Sequence, residues 1–379
     1  MKQFFAIILC LLMIVTLASC AAEGEDHTLY VRDEFAHDEM TATFLLSGSD
    51  QSTTVKMKKI SSDDDATLFS CSGDSEKYDR VILTYGNDDS TIELSFNDYV
   101  SGWNISSYRF MPYTYGNEIK KPDVRWETFP YESRTKDVYI WTPDDYDEKS
   151  EEPYSVIYMT DGQNLFDPSA TSTGSWGVAE ACEAMMSQSE NKVIVVGIDN
   201  GPSYRDSELT PNIGKSTEES YDDGHGAYFS DFVCGTVVPF IEENYHVYTD
   251  PAHNAICGSS SGGIESFYIG MEHPDKFGTI GALSPAFSLF DDATWQKYLK
   301  EKDFGGNYPF VYIYNGENQN DQLELYLLEG ALRMPKNLST INYPEDKIVV
   351  KTYEKGQHNE MHWRAVFPDF LKYMFPAVS

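Results

Sequence analysis

The stretch Gly258-Ser259-Ser260-Ser261-Gly262 constrains this chain more than any other. A short apolar run, Asn254 to Cys257, leads into it, and a helix-like stretch, Ile264 to Glu272, leads out. Strand, sharp turn carrying Gly-x-Ser-x-Gly, then helix is the plan of a nucleophile elbow. The turn holds the serine in a strained backbone conformation, so only small residues fit beside it. It lifts the hydroxyl out of the sheet and aims the first helical N–H groups at the place where an oxyanion would form. A Gly/Ser-rich loop can carry the same letters, so the flanking strand and helix give the pattern its weight.

Partners follow from chain order, which in such an architecture runs Ser, then Asp or Glu, then His, at the ends of late strands. Phe310 to Tyr314 reads as a buried strand running into Asn315-Gly316-Glu317. Lys347 to Tyr353 reads as the next, running into Gly356-Gln357-His358-Asn359-Glu360. His358 is the best placed histidine. Glu317 is the favoured acid, directly at a strand end. Asp321 is the alternative, although its place before the helix-like stretch Gln322 to Leu332 also suits a cap. His358 and His362 lie four apart, but the glutamate falls one place late for His-Glu-x-x-His, and Gly-Gln before His358 suggests a loop, so no metal site is expected.

The chemistry would then be acyl transfer. Ser260 Oγ is a weak nucleophile until His358 takes its proton, and the acid fixes the imidazole tautomer and stabilises the imidazolium. Attack on an ester carbonyl gives a tetrahedral oxyanion. The backbone N–H of Ser261 is one expected donor to it. The second is expected from Gly162 or Gln163, in the loop after the strand-like Tyr154 to Met159.

The residues from about Arg134 to Phe375 resemble the esterase family of α/β-hydrolases that includes feruloyl and acetyl-xylan esterases (carbohydrate esterase family 1) and enterochelin-type siderophore esterases. Val138 to Pro143 looks like its entry strand, and Asp161-Gly162-Gln163-Asn164-Leu165-Phe166 like its Asp-Gly-Gln-Asn-Leu-Phe loop. Arg205 with Glu208, Gly258 to Gly263 with His273-Pro274-Asp275, and Gly356 to Glu360 with Trp363 match further segments. The resemblance implies Ser260 and His358 as catalytic. It leaves the acid open, since that position varies in the family.

The expected architecture is an α/β-hydrolase fold over residues 123–379, a mostly parallel central sheet with helices on both faces, preceded by a small all-β sandwich over 27–122. Lys192 to Ile198 is continuously apolar, as a strand covered on both faces requires. Tyr228 to Tyr245 has helical periodicity. Asp199 to Gly226 is long, polar and Gly-rich, and loops of that kind often carry function; Trp176, Tyr204 and Arg205 are candidates for lining an acyl or sugar site, with core and loop-bracing roles as alternatives. In the N-terminal region short β-like stretches alternate with turn signals. Trp103, Tyr108, Tyr113 and Tyr115 are candidate stacking faces for sugar rings, or else core, and Asp63-Asp64-Asp65 reads as a solvated loop.

The 379 residues suffice for two domains. With 61 acidic against 28 basic residues, a net charge of −33 repels phosphate backbones and anionic membranes, which argues against nucleic-acid binding. Lys2, the apolar Phe4 to Ala18 and Leu17-Ala18-Ser19-Cys20 read as a lipoprotein signal over residues 1–20, with a lipid on Cys20 and a tether over 21–26. An ordinary signal peptide is the alternative. The membrane is then reached only through that anchor, and the location is extracellular or cell-surface. Cys71, Cys182, Cys234 and Cys257 are expected as buried thiols, with a Cys182–Cys234 bridge as the alternative. No cofactor is expected. Together these observations point to a secreted serine esterase acting on a carbohydrate ester, feruloyl or acetyl, with a possible polysaccharide at the N-terminal domain. The alternatives are a siderophore or other small-ester hydrolase, and a non-catalytic glycan-binding lipoprotein.

Overall fold

The computed structural model describes residues 26–375 apart from 64, 87–89, 108, 118–120, 202, 219–220 and 222–223. The signal segment with Cys20 lies outside them, as do Tyr108 and Asp64. The N-terminal region comprises β1 (Asp26–Asp33), β2 (Met40–Leu45), β3 (Ser52–Lys56), β4 (Lys58–Ser62), β5 (Thr67–Asp74), β6 (Arg80–Tyr85), β7 (Ser90–Ser95), β8 (Gly102–Ser106) and β9 (Arg109–Pro112). In β2, Met40, Ala42 and Phe44 are buried and the residues between them are half-open, the period of a strand covered on one face. Two sheets result, ordered β4-β5-β1-β8-β9 and β3-β2-β6-β7, and they enclose Leu29, Phe44, Phe69, Leu83 and Trp103 as a β-sandwich. Trp103 is fully buried, so it is core and not a sugar platform. Tyr115 is exposed and stacked on Tyr30 at 4.1 Å. Tyr113 is half-buried in the wall of a cavity facing Trp141.

The larger region carries one eight-stranded sheet. Its strands are β10 (Val124–Tyr131), β11 (Arg134–Trp141), β12 (Ser155–Met159), β13 (Val193–Ile198), β14 (Asn254–Ser259), β15 (Thr279–Leu283), β16 (Phe310–Gly316) and β17 (Ile348–Tyr353). They lie in the order β10-β11-β13-β12-β14-β15-β16-β17, antiparallel across β10–β11–β13 and parallel from β13 onward. The helices are α1 (Val178–Ser187), α2 (Arg205–Glu208), α3 (Gly226–Phe232), α4 (Val238–Asn244), α5 (Ser261–Glu272), α6 (Asp292–Lys300), α7 (Gln322–Ser339) and α8 (Glu360–Met374).

Every residue of β12 to β15 is buried, because helices cover both faces. Alternate residues go to opposite cores. Val156, Ile194, Ile256 and Ile280 meet Phe229, Ile264 and Trp295 on one side. Ile157, Val195, Cys257 and Tyr312 meet Ala181, Val366 and Phe370 of α1 and α8 on the other. Two helices differ from the sequence pattern. The stretch Tyr228 to Tyr245 is broken by a wide turn, Val233–Val237, just before Pro239, which brings no N–H to the ladder. α7 continues through Pro335 to Ser339.

The four cysteines of the described residues are free and buried, so Cys182 and Cys234 are not bridged. Among the described residues no helix is long and apolar enough to cross a membrane, and no cluster of His, Cys, Asp or Glu is arranged to hold a metal. The sandwich is not a separate bead: Ala184 of α1 and Ala365 of α8 share its core.

Candidate active site

β14 runs into α5 through Ser260, which sits at φ 58°, ψ −125°. A side-chain-bearing residue held there costs about 1–3 kcal/mol, and the surroundings must fix it. They do so by hydrogen bonds: Ser260 N–H donates to Leu283 O (3.0 Å), and its carbonyl accepts from Ala286 N–H (3.1 Å) and Gly263 N–H (3.0 Å). The flanking glycines are required by close approach. A Cβ on Gly258 would stand 2.2 Å from Thr160 Oγ1, and one on Gly262 would stand 2.1 Å from the same atom. Helix geometry leaves the first N–H groups of α5, Ser261 foremost, without partners inside the helix, at the positive end of its dipole.

The histidine loop follows β17. His358 Nδ1 stands 2.8 Å from Glu324 Oε2, and its ring meets Trp363 edge-on at 5.1 Å. The Glu324 side chain is fully buried. Its Oε1 accepts Ser284 Oγ–H (2.6 Å) and Gly316 N–H (2.5 Å). Ser284 Oγ in turn accepts Trp363 Nε1–H (2.9 Å). These donors fix the Glu324 carboxyl group in place, and its Oε2 as acceptor favours the imidazole tautomer with the proton on Nδ1 and the lone pair on Nε2. Ser260 and Glu324 are also tied to one segment, since Ser260 N–H bonds to Leu283 O and Glu324 to the next residue, Ser284. No hydrogen bond joins Ser260 Oγ to His358 among the described residues; in unliganded sites this contact is commonly long and tightens with substrate.

The loop after β12 is braced against the elbow. Asp161 is left-handed (φ 57°, ψ 41°), and its carboxylate accepts Arg205 Nε–H (2.6 Å), Arg205 Nη2–H (2.9 Å) and the Asn200 amide. Arg205 Nη2 also reaches Ser259 O at 3.4 Å. Gly162 lies on Gly197, where a Cβ would meet backbone at 2.5 Å. The N–H groups of Gly162 and Gln163 open the short 3-10 turn Gly162–Asn164. Beside them lies a cavity of 410 Å³ walled by Trp126, Tyr139 and Phe166.

The acid differs from the sequence expectation. Glu317 uses its backbone to pair with Tyr353 O (2.8 Å), and the carboxylate on the imidazole is that of Glu324. Asp321, the alternative, caps α7 by accepting Glu324 N–H (3.1 Å) and accepts the backbone N–H of His358 (2.8 Å), so it positions both groups without touching the ring. Trp176 is buried against Trp363 and Phe367 and cannot line an open site. The guanidinium of Arg205 is engaged by Asp161, a bracing role. Tyr204 is 53% exposed with Arg134 over its ring at 4.2 Å. His362 is buried with Nδ1 on Asn359 Oδ1 (3.0 Å). Glu324 and Ser284 were not singled out from sequence, and Asp161 was named there only as part of its loop. The signal for Glu324 was present as Asp321-x-x-Glu324, a capping pattern.

Glu265, one turn after Ser260 on α5, is fully buried, and neither carboxyl oxygen has a partner among the described residues. A Cβ on Gly226 would stand 2.2 Å from its Oε2. Burial, then the nearby Glu272, push its pKa well above the ordinary carboxyl value of 4.5. The folded protein therefore keeps a proton that the unfolded chain has released above that value. Stability falls as pH rises, by about 1.4 kcal/mol per pH unit, until the folded group itself ionises. Glu265→Gln is expected to raise the melting temperature at pH 8 and to lose that advantage toward pH 4.5. Parallel melting curves at the two pH values check this; an equal difference at both contradicts it.

Comparison with known proteins gives the family and the fold. The Esterase family model, described as "Putative esterase", matches residues 133–374. Bacillus subtilis (strain 168) YbbA is 22% identical over 226 residues, 59% of this chain and 86% of its own. The endo-1,4-beta-xylanase/feruloyl esterase of Xylanibacter ruminicola is 22% identical over 274 residues, 69% of this chain but only 33% of that longer protein. Among solved structures, the enterobactin esterase FES of Shigella flexneri aligns at a TM-score of 0.53 with 13% identity, covering 92% of both chains. A ferulic acid esterase of Anaeromyces mucronatus aligns at 0.51 with 20% identity, covering 68% of this chain and 93% of its own. At such identities the structures attest the fold. The family match spans well over half of the sequence, and the chain therefore belongs to this esterase family and is a carboxylic ester hydrolase.

Proposed function

We propose that the protein is a serine esterase that cleaves a carboxylic ester borne by a carbohydrate, through Ser260, His358 and Glu324. The observation that carries the reading is the 2.8 Å contact of His358 Nδ1 with the buried Glu324 carboxylate, at the C-terminal end of the same parallel strands that the strained Ser260 follows. His358 Nε2 takes the Ser260 proton as Oγ attacks the ester carbonyl. The N–H groups of Ser261 and of Gly162 or Gln163 receive the oxyanion. His358 returns the proton to the departing alcohol, leaving an acyl-serine and the freed sugar hydroxyl. Water, activated by the same imidazole, releases the acid and restores the serine.

The carbohydrate assignment is supported by the feruloyl esterase named among the sequence relatives and by the aromatic-walled cavity beside Gly162 and Gln163. A siderophore ester is the second reading, favoured by the enterobactin esterase that matches this fold over 92% of the chain. The purified mature protein on p-nitrophenyl acetate, methyl ferulate, acetylated xylan and a catecholate siderophore ester separates the two. Faster turnover of ferulate or acetyl-xylan is expected; preference for the siderophore ester overturns the carbohydrate assignment. The lipoprotein reading puts the enzyme on the outer face of the cell membrane through a lipid on Cys20, and the wild type is expected to incorporate labelled fatty acid that Cys20→Ala does not. Absence of labelled fatty acid from the wild type contradicts the anchor.

A further inference from the structure

The loop that carries His358 is gripped on both sides by the N-terminal sandwich. On its upstream side, Lys355 N–H donates to Glu93 Oε2 of β7 (2.9 Å). The Glu93 side chain is fully buried, and its other oxygen accepts Arg80 Nη1–H of β6 (2.6 Å). The same Arg80 nitrogen reaches Thr352 O (3.3 Å), and its guanidinium lies over the Tyr353 ring at 5.5 Å. One pleat further back, Lys351 Nζ pairs with Asp79 Oδ2 at 2.7 Å. On the downstream side, Met361 packs against the sandwich core, and Ala365 is part of it. The sandwich thus fixes positions 351 to 355 and 361 to 365, on either side of His358, whose own N–H and ring are held by Asp321 and Glu324.

We infer that the sandwich is a positioning element of the hydrolase site, and that Glu93 is the residue through which it sets the His358 loop. The inference rests on His358 acting as proposed above. Glu93 touches no reacting atom. It is the acceptor that fixes the backbone three residues before the imidazole, and it is itself locked by Arg80. Among the described residues, nothing else in the sandwich binds that backbone with a buried, charge-paired acceptor. A loop freed at Lys355 lets the imidazole drift from Ser260, while the ester-binding surfaces around Gly162 and Ser261 stay in place. The signature is loss of kcat without change in KM. Displacing a catalytic group by about 1 Å typically costs 10- to 100-fold.

The test uses the full mature protein with p-nitrophenyl acetate as probe, together with hydrogen exchange of the peptide spanning 354–363. Glu93→Ala is expected to lose kcat by roughly 10-fold or more at unchanged KM. Exchange across 354–363 rises while β14 stays protected. Glu93→Gln, whose amide oxygen still accepts Lys355 N–H, restores most of kcat. Val55→Ala trims a half-buried side chain on β3, at the far edge of the second sheet, and controls for general loosening of the sandwich. Unchanged exchange across 354–363 in folded Glu93→Ala overturns the inference, as does an equal kcat loss in Val55→Ala. If Glu93→Ala does not fold, Lys351→Met removes the neighbouring tie to Asp79, and the same rise in exchange is expected of it; none overturns the inference. Wild-type protein inert on every ester would sink the proposed function instead, and the exchange measurement would still decide the brace.

Discussion

Ser260→Ala is expected to lower kcat for ester hydrolysis by about 10⁶-fold, because removing the nucleophile of a triad costs nearly as much as removing the whole triad. The protein should remain folded. Alanine at φ 58°, ψ −125° bears the same backbone strain as serine, and the bonds that hold the turn, to Leu283 O and from Ala286 N–H, are backbone bonds. Among the described residues the Ser260 hydroxyl holds no other element in place, so its loss leaves no buried partner stranded. Steady-state rates beside a melting curve check both halves. A variant that melts like the wild type and retains substantial turnover would place the nucleophile elsewhere.

Glu324 and Glu317 give the second large contrast. Glu324→Gln is expected to drop kcat by roughly 10⁴-fold, the scale seen when a triad carboxylate becomes an amide and the imidazole settles in the wrong tautomer. Its Oε2 no longer compels a proton on His358 Nδ1, and its new N–H₂ competes to donate there. The substitution also costs stability. Ser284 Oγ and Gly316 N–H both point at Glu324 Oε1, and each donor left poorly matched costs about 1–3 kcal/mol. Glu317→Gln touches neither the imidazole nor that network, and its kcat/KM should stay near wild type. Parallel kinetics on the two variants decide the matter. The reverse pattern, with Glu317 essential and Glu324 dispensable, would contradict the structure's pairing.

How far the sequence could be read depends on whether a feature is local. The elbow is local: two glycines, a serine between them, an apolar strand before and a helix after are enough, because the required φ and the tight contacts with Thr160 act within a few residues or on a neighbouring strand end. The continuous apolar run Val193 to Ile198 likewise reports a strand covered on both faces. The acid was hidden because its role is set by tertiary folding. Glu324 stands at the third position of α7, where Asp321-x-x-Glu324 looks like an ordinary helix start. Only the return of α7 across the end of β16, with Gly316 N–H and Ser284 Oγ converging on it, turns that helix residue inward to His358. Glu317 is nearer the strand end in sequence, yet β-pairing spends its backbone on Tyr353. Arg205 was legible as a loop residue but not as the partner of Asp161, a contact between segments 44 residues apart. Trp103 and Trp176 show the same limit for aromatics, since sequence alone does not separate a stacking platform from a core side chain. The grip of β7 on Lys355 joins residues 262 apart and has no local signature at all.

The most direct test of the central claim is to treat the protein with a fluorophosphonate and map the adduct by peptide mass spectrometry. The account predicts a single covalent adduct on Ser260, formed far more slowly in His358→Ala and Glu324→Gln and at the wild-type rate in Glu317→Gln. An adduct on another residue, no adduct at all, or labelling of Ser260 indifferent to Glu324 would contradict it.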